Sequence, residues 1–251
     1  MQKWRSRRGN ESNQAAQAAS SGENRETHMT EPQFYPVDRQ AIDQLLSLCK
    51  RHHFEPRQVV MRPGDESQTL LYVVDGSLTV SKEGDDGREL ILTYLNPGDF
   101  LGEMGLFMKA REREVLVRTR SRCELAEISY TRLREALDHE LREYAVEIMT
   151  AIGSKLSQRL LQARRKVLHL AFLDTQGRIA KALIDLCNEP DAISHPDGTQ
   201  IRVTRQELSR IVGCSREMAG RVMKTLEDDG MLRASGKTVV VIGKYKGSAA
   251  G

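Results

Sequence analysis

The feature that most restricts the fold is a spacing. Between Leu141 and Leu173 the residues Val146, Met149, Gly153, Leu156, Leu160, Ala163, Val167 and Leu170 follow at steps of 3, 4, 3, 4, 3, 4 and 3. An apolar or small residue every 3.5 positions over more than three heptads predicts one long helix with a narrow seam, the pattern of a two-stranded coiled coil. A helix that serves only a globular core is about half as long and carries a wider stripe. The seam therefore predicts a homodimer joined along 141–173, with Gly153 and Ala163 admitting the partner helix closely. Packing of this helix on the chain's own β-domain is the alternative.

The helix divides the chain. Residues 1–33 are rich in Ser, Asn, Gln, Glu and Arg, too polar to form a core, and predict a disordered tail. Trp4 falls there without a structural role, and Met29 is an internal Met just before the ordered part. Ala41–Cys49 (AIDQLLSLC) reads as a short amphipathic helix. Over 34–140 the segments VVMRPGDE, TLLYVVDGSLTVSKEGDDGRELILTYLNPGDF and EVLVRTRSRCELAEIS alternate and are rich in β-branched residues. Turn signals punctuate them at Pro63-Gly64-Asp65, Asp75-Gly76, Asp86-Gly87 and Pro97-Gly98-Asp99. Short strands at this spacing indicate an all-β roll or barrel. Beyond the long helix, 174–246 forms a second domain and 247–251 a disordered tail. The domain opens on a helix, GRIAKALIDL, followed by a loop through Pro190, His195, Pro196 and Gly198. The fold class is α+β.

The second domain carries the sharpest local signals. Thr204 opens TRQELSRIV as an N-cap, and Glu207 three residues on makes a capping box. Gly213 stops this helix as a C′ glycine. Ser215 caps a second helix, SREMAGRVMKTLEDDG, ended by Gly230. Two helices around a tight Gly turn form a helix-turn-helix, whose second helix enters the DNA major groove with its N-terminal residues toward the bases. Those residues are Arg216, Glu217 and, at i+4 from Glu217, Arg221. Arginine reads guanine O6 and N7, and a Glu carboxylate accepts from cytosine N4. Val222, Met223 and Leu226 face the core. The alternative for the triplet is a surface salt-bridge cluster of little energetic value. TVVVI then forms a strand pair about a Gly236-Lys237 turn.

Charge agrees with an anionic partner at this end. From Gln200 onward ten Lys or Arg stand against five Asp or Glu, a balance of +5 in a chain of net +3. Other classes lack their marks. No apolar run approaches the ~18 residues that span a bilayer, and no basic stretch leading into an apolar core opens the chain as a secretory leader does. Cys49, Cys123, Cys187 and Cys214 form neither CxxC nor a zinc box, so they read as reduced thiols of a cytoplasmic protein and no metal is expected. No nucleophile motif, HExxH or P-loop is present, so no catalytic residue is assigned and the chain does not read as an enzyme.

The run TRQELSRIVGCSREMAGRVMKTLEDDGML with the following GKTVV is very similar to the winged helix-turn-helix of the catabolite activator (cyclic-AMP receptor) family. LAFLDTQGRIAKALIDL resembles that family's hinge, and GDFLGEMGLF its phosphate-binding cassette in a cyclic-nucleotide-binding β-roll; the likeness spans about 60–243. The resemblance implies that Arg216, Glu217 and Arg221 read a TGTGA-like half-site, that Arg205, Ser215 and Lys237 contact phosphates, and that His195, in ISHPDGT, touches RNA polymerase. It implies a cyclic-nucleotide site at Gly102, Glu103 (ribose hydroxyl) and Arg113 (cyclic phosphate).

Two positions depart from the family's cyclic-AMP binders. Glu114 follows Arg113 where they carry Ser, and Ala163-Arg164 replaces the adenine-contacting Thr-Ser or Thr-Thr pair. A carboxylate about 4 Å from a phosphate costs roughly 4 kcal/mol at an effective dielectric near 20, about a thousandfold in affinity, and Glu114 would compete for Arg113. GEMGLF with REVLVRTRSRCELAEIS looks most like the Clp (CAP-like protein) branch, which binds DNA without ligand and is weakened by cyclic di-GMP. Arg164 and Arg165 suit a ligand with two phosphates. The expected effector is therefore cyclic di-GMP, ahead of none and of cyclic AMP. Expected partners are double-stranded DNA, a second copy of the chain and RNA polymerase, with no membrane. A cyclic-nucleotide sensor acting on a protein partner is the rival class, and such sensors lack the helix-turn-helix.

Overall fold

The computed structural model describes residues 34–108 and 112–243. The expected tails at 1–33 and 247–251, with Trp4 and Met29, and the end of the second domain at 244–246 lie outside the described residues.

Helix α1 (Arg39–Ser47) precedes eight short strands: β1 (Lys50–Phe54), β2 (Val59–Met61), β3 (Thr69–Asp75), β4 (Leu78–Glu83), β5 (Glu89–Leu95), β6 (Phe100–Leu101), β7 (Leu116–Thr119) and β8 (Cys123–Ser129). A short helix α2 (Met104–Phe107) follows β6, and α3 (Tyr130–Asp138) follows β8. The strands form two antiparallel four-stranded sheets, ordered β1-β8-β3-β6 and β2-β7-β4-β5. Successive strand residues face opposite sides of a sheet, so β3 feeds two cores. Leu71 and Val73 join Leu78, Leu95, Val117 and Leu125 between the sheets. Leu70 turns to the other side, with Phe100, Ile128 and the helices. The second sheet ends on β5, an edge strand.

The long helix α4 (Ala145–Phe172) has 28 residues and follows a 3-10 turn at Arg142–Tyr144. One face packs on the chain's own β-domain, the alternative reading of its pattern. Ile148, Ala151 and Ile152 are buried in the outer core of the β-roll. The seam residues Val146, Leu160, Val167 and Leu170 remain exposed, Val146 by 74 %. Met149 and Leu156 lie between, partly covered by the chain's own domain. Lys155 holds Asp99 at 2.8 Å.

The second domain packs α5 (Thr175–Cys187), α6 (Arg205–Val212) and α7 (Arg216–Asp228) on a four-stranded antiparallel sheet. Its core unites Ile179, Leu183, Leu186, Ile201, Leu208, Ala219, Val222, Leu226, Leu232 and Val239. The expected loop through His195 is instead a hairpin, β9 (Ile193–His195) and β10 (Gly198–Arg202). β10 gains strand character from pairing with β12 (Thr238–Ile242), which lies far downstream and leaves no local signal. β11 (Leu232–Ser235) and β12 pair across the Gly236-Lys237 turn. All four cysteines are free, and burial pushes the Cys49 and Cys187 thiols up to about 11. Among the described residues no helix is long and apolar enough to cross a membrane, and no His, Cys, Asp and Glu cluster could hold a metal ion.

Candidate nucleic-acid interface and ligand cassette

Local chemistry builds the helix-turn-helix. Thr204 Oγ1 accepts the Glu207 N–H at 3.0 Å and starts α6. Gly213 ends it at φ +72°, in the left-handed region that a side chain would strain. Ser215 Oγ accepts the Met218 N–H at 3.1 Å and starts α7. Only half of the expected capping box forms. The Glu207 carboxylate does not return to its own N-terminus but accepts from the Tyr94 hydroxyl at 3.0 Å. A partner 113 residues away outcompetes the local one.

Along α7, Ala219, Val222, Met223 and Leu226 are buried, which turns Arg216, Glu217 and Arg221 outward. All three are exposed, and among the described residues none of them makes an ion pair within 4 Å. The salt-bridge cluster offered as the alternative lacks its salt bridges. Hydrogen bonds from its own backbone N–H and from the Ser215 side chain, then the Arg216 and Arg221 charges, hold the Glu217 carboxyl below its ordinary range. The triplet thus presents two free guanidiniums and one ionised acceptor. Arg205 lies alongside, near enough that a Cβ on Gly220 of α7 would sit 3.5 Å from its Cδ. Ser215 and Lys237 are exposed, the latter at the β11–β12 turn. His195 is half-buried, its Nδ1 accepting the Asp197 N–H at 3.2 Å.

The cassette has the opposite character. Glu103 and Arg113 are buried, with 5 % and 8 % exposure. Arg113 donates to the Tyr130 hydroxyl at 3.0 Å and to the Thr69 carbonyl at 2.6 Å, and Tyr130 donates to the Gly102 carbonyl at 2.6 Å. Gly102, at φ +86°, has no room for a side chain: a Cβ would lie 2.6 Å from Arg113 Nη1. Glu103 accepts from Arg159 Nη1 of α4 at 2.5 Å, and Arg159 also donates to the Phe100 carbonyl. The expected ligand-holding pair is therefore satisfied by the protein itself.

One expectation is corrected here. Glu114 does not compete for Arg113. Between the bridge at Glu112 and β7, Arg113 turns inward while the Glu114 side chain is 82 % exposed and pairs with Lys82 at 3.5 Å. An exposed charge is screened by water, where a 4 Å pair is worth only about 1 kcal/mol. On α4 the residue that reaches the cassette is Arg159, whereas Ala163 and Arg164 are exposed. Arg159 lies four residues before Ala163 and so one turn away on the same face. That turn was the available signal; Tyr130 left none.

Residues 51–140 match the family model of the cyclic nucleotide-binding domain, and residues 177–246 that of the Crp-like helix-turn-helix domain. The chain is 53 % identical over 207 residues to the CRP-like protein Clp of Xanthomonas euvesicatoria pv. vesicatoria, covering 82 % of this chain and 90 % of Clp. The solved structure of CLP from Xanthomonas campestris, described as a c-di-GMP responsive global regulator, superposes with a TM-score of 0.78. It is 53 % identical and covers 82 % of this chain and all of that one. TTHA1359 of Thermus thermophilus, a CRP/FNR transcriptional regulator, superposes at 0.65 with 24 % identity, covers 77 % of this chain and 94 % of its own, and shares the fold. With a nucleotide-binding domain and a Crp-like helix-turn-helix in this order, and a relative 53 % identical over most of its length, the chain belongs to the CRP/FNR family of transcription regulators.

Proposed function

We propose that the protein is a cytoplasmic homodimer that binds a TGTGA-like palindrome in double-stranded DNA and is weakened in that binding by cyclic di-GMP. The observation that carries the reading is the exposed triplet Arg216, Glu217 and Arg221, free of ion pairs on the first turns of α7. Arginines and an ionised carboxylate that face water outside any ion pair suit the donors and acceptors of base edges. Arg205, Ser215 and Lys237 take the backbone phosphates, and these contacts make affinity salt-dependent. The uncovered seam Val146, Leu160, Val167 and Leu170 suits a second copy, which sets two recognition helices about one DNA turn, roughly 34 Å, apart. His195, on its hairpin, is assigned the contact with RNA polymerase.

Cyclic di-GMP is favoured by the likeness to Clp, whose solved structure is described as c-di-GMP responsive. The residues assigned to the ligand are Gly102, Glu103 and Arg113, with Ala163 and Arg164 exposed beyond Arg159 on α4. A ligand that takes Glu103 and Arg113 must displace Arg159 and Tyr130, so it acts on α4 directly. The same closure favours a second reading, a ligand-independent DNA binder, because the cassette is already satisfied. Fluorescence anisotropy on a TGTGA palindrome, without ligand, with cyclic AMP and with cyclic di-GMP, separates these readings. Tight binding alone, weakened only by cyclic di-GMP, supports the first. Binding indifferent to both nucleotides supports the second, and binding that requires cyclic AMP contradicts both.

A further inference from the structure

As an edge strand, β5 has one side without a strand partner. Exposed edges invite pairing with other chains, and proteins cover them. Here the cover comes from α4 and from the helix-turn-helix. Lys166 of α4 donates to the Ile91 carbonyl at 3.4 Å and to that of Leu92. The α6–α7 turn lies on Leu90, whose Cδ1 would be 3.6 Å from a Cβ on Gly213. Arg210 of α6 pairs with Glu89 at 3.1 Å. Tyr94 packs its ring against the core of the second domain while its hydroxyl donates to Glu207. Arg120 lies over that ring, 4.4 Å from its centroid, with Nε 3.7 Å from Glu207 and Nη2 donating to Asp191 at 3.1 Å. Asn96 donates to Glu189 at 2.8 Å. Burial, then the Glu207 charge, pushes the Tyr94 phenol far up, so it remains a donor.

Glu207 is the residue that gives up its local cap. A DNA-binding domain standing alone gains nothing from that; a domain that must sit at a fixed angle on the β-roll does. Because Leu208, Val212, Ala219 and Val222 share one core, fixing α6 also fixes α7. We propose that Tyr94, Glu207 and Arg120 are positioning residues for DNA binding, setting the angle of the helix-turn-helix on the β-roll and so the separation of the two recognition helices. This rests on the reading of the protein as a dimeric DNA binder.

A palindrome requires both recognition helices at one separation, whereas a half-site requires one helix at any angle. The ratio of the two affinities therefore reports the angle and not the integrity of the domain. Anisotropy on a palindromic and a half-site duplex is measured for the full chain, Tyr94→Phe and Glu207→Gln, together with Glu89→Lys, Arg210→Glu and the last two combined. Tyr94→Phe and Glu207→Gln should each weaken palindrome binding roughly tenfold, the scale of a hydrogen bond to a charged group, with half-site binding unchanged. Glu89→Lys and Arg210→Glu should each lower the ratio, and the combined exchange should restore it, which a merely misfolded variant could not do. A ratio unchanged or raised in Tyr94→Phe and Glu207→Gln overturns the proposal, as does failure of the exchange to restore it. A wild-type protein that binds both duplexes alike removes the dimeric reading itself, and the proposal with it, before any variant is compared.

Discussion

The head of α7 and the nucleotide cassette are made of the same materials, arginines and a glutamate, and have opposite fates. On α7 the charges face water and each other without pairing. In the cassette Glu103 and Arg113 are buried, and each has found a protein partner. Charge that is cheap to expose can wait for an intermolecular partner. Charge that is buried must be satisfied at once, because desolvation is not repaid otherwise. On the proposed reading, one site is open to its ligand as it stands, and the other would admit a ligand only by exchange of partners.

The comparison is tested most severely at Arg159. Arg159→Ala leaves the buried Glu103 carboxylate unpaired and should lower the unfolding free energy in urea by about 3 kcal/mol; adding Glu103→Gln should recover much of that loss. An effect below about 0.5 kcal/mol would show that the cassette is as open as α7. Next in size, Arg221→Ala should weaken cognate DNA binding by about 1–3 kcal/mol and relax base preference, with little loss on random DNA. Equal loss on both would assign Arg221 to phosphate. A smaller effect follows from Glu217. Hydrogen bonds from its own backbone N–H and from Ser215 lower its carboxyl from the ordinary value, so the ionised acceptor form persists to lower pH than in an unassisted Glu. The base preference that Glu217→Ala abolishes should thus be the same at pH 5 as at pH 7 in binding-site selection. Smallest of all, Glu114→Ser should shift stability by less than about 0.5 kcal/mol, as an exposed side chain should. A large shift would return Glu114 to the cassette.

Chemistry between near neighbours was legible in the sequence. Thr204, Gly213 and Ser215 act within a few residues of their partners, and the heptad spacing marks one helix whatever it packs on. The second half of the capping box was not legible, because Glu207 answers to Tyr94 across the β-roll. Nor was the state of the cassette: the motif marks Glu103 and Arg113, while Arg159 lies 56 residues beyond Glu103. The expectation for Glu114 fails because adjacency in the chain is not adjacency in space. The hairpin at His195 leaves no mark because a three-residue strand with little buried has no period of its own.

The continuity of α4 makes it a lever as well as a scaffold. Arg159 grips the cassette partway along the helix, and the helix runs on unbroken to Phe172 before the chain turns into the second domain. At 1.5 Å per residue that stretch is roughly 20 Å long, and Lys166 ties it to β5 on the way. A tilt of about 5° at Arg159 carries its far end on the order of 2 Å. On the proposed reading, such a travel exceeds the tolerance of a bidentate arginine contact to a base, so a small change at the cassette would be felt at DNA.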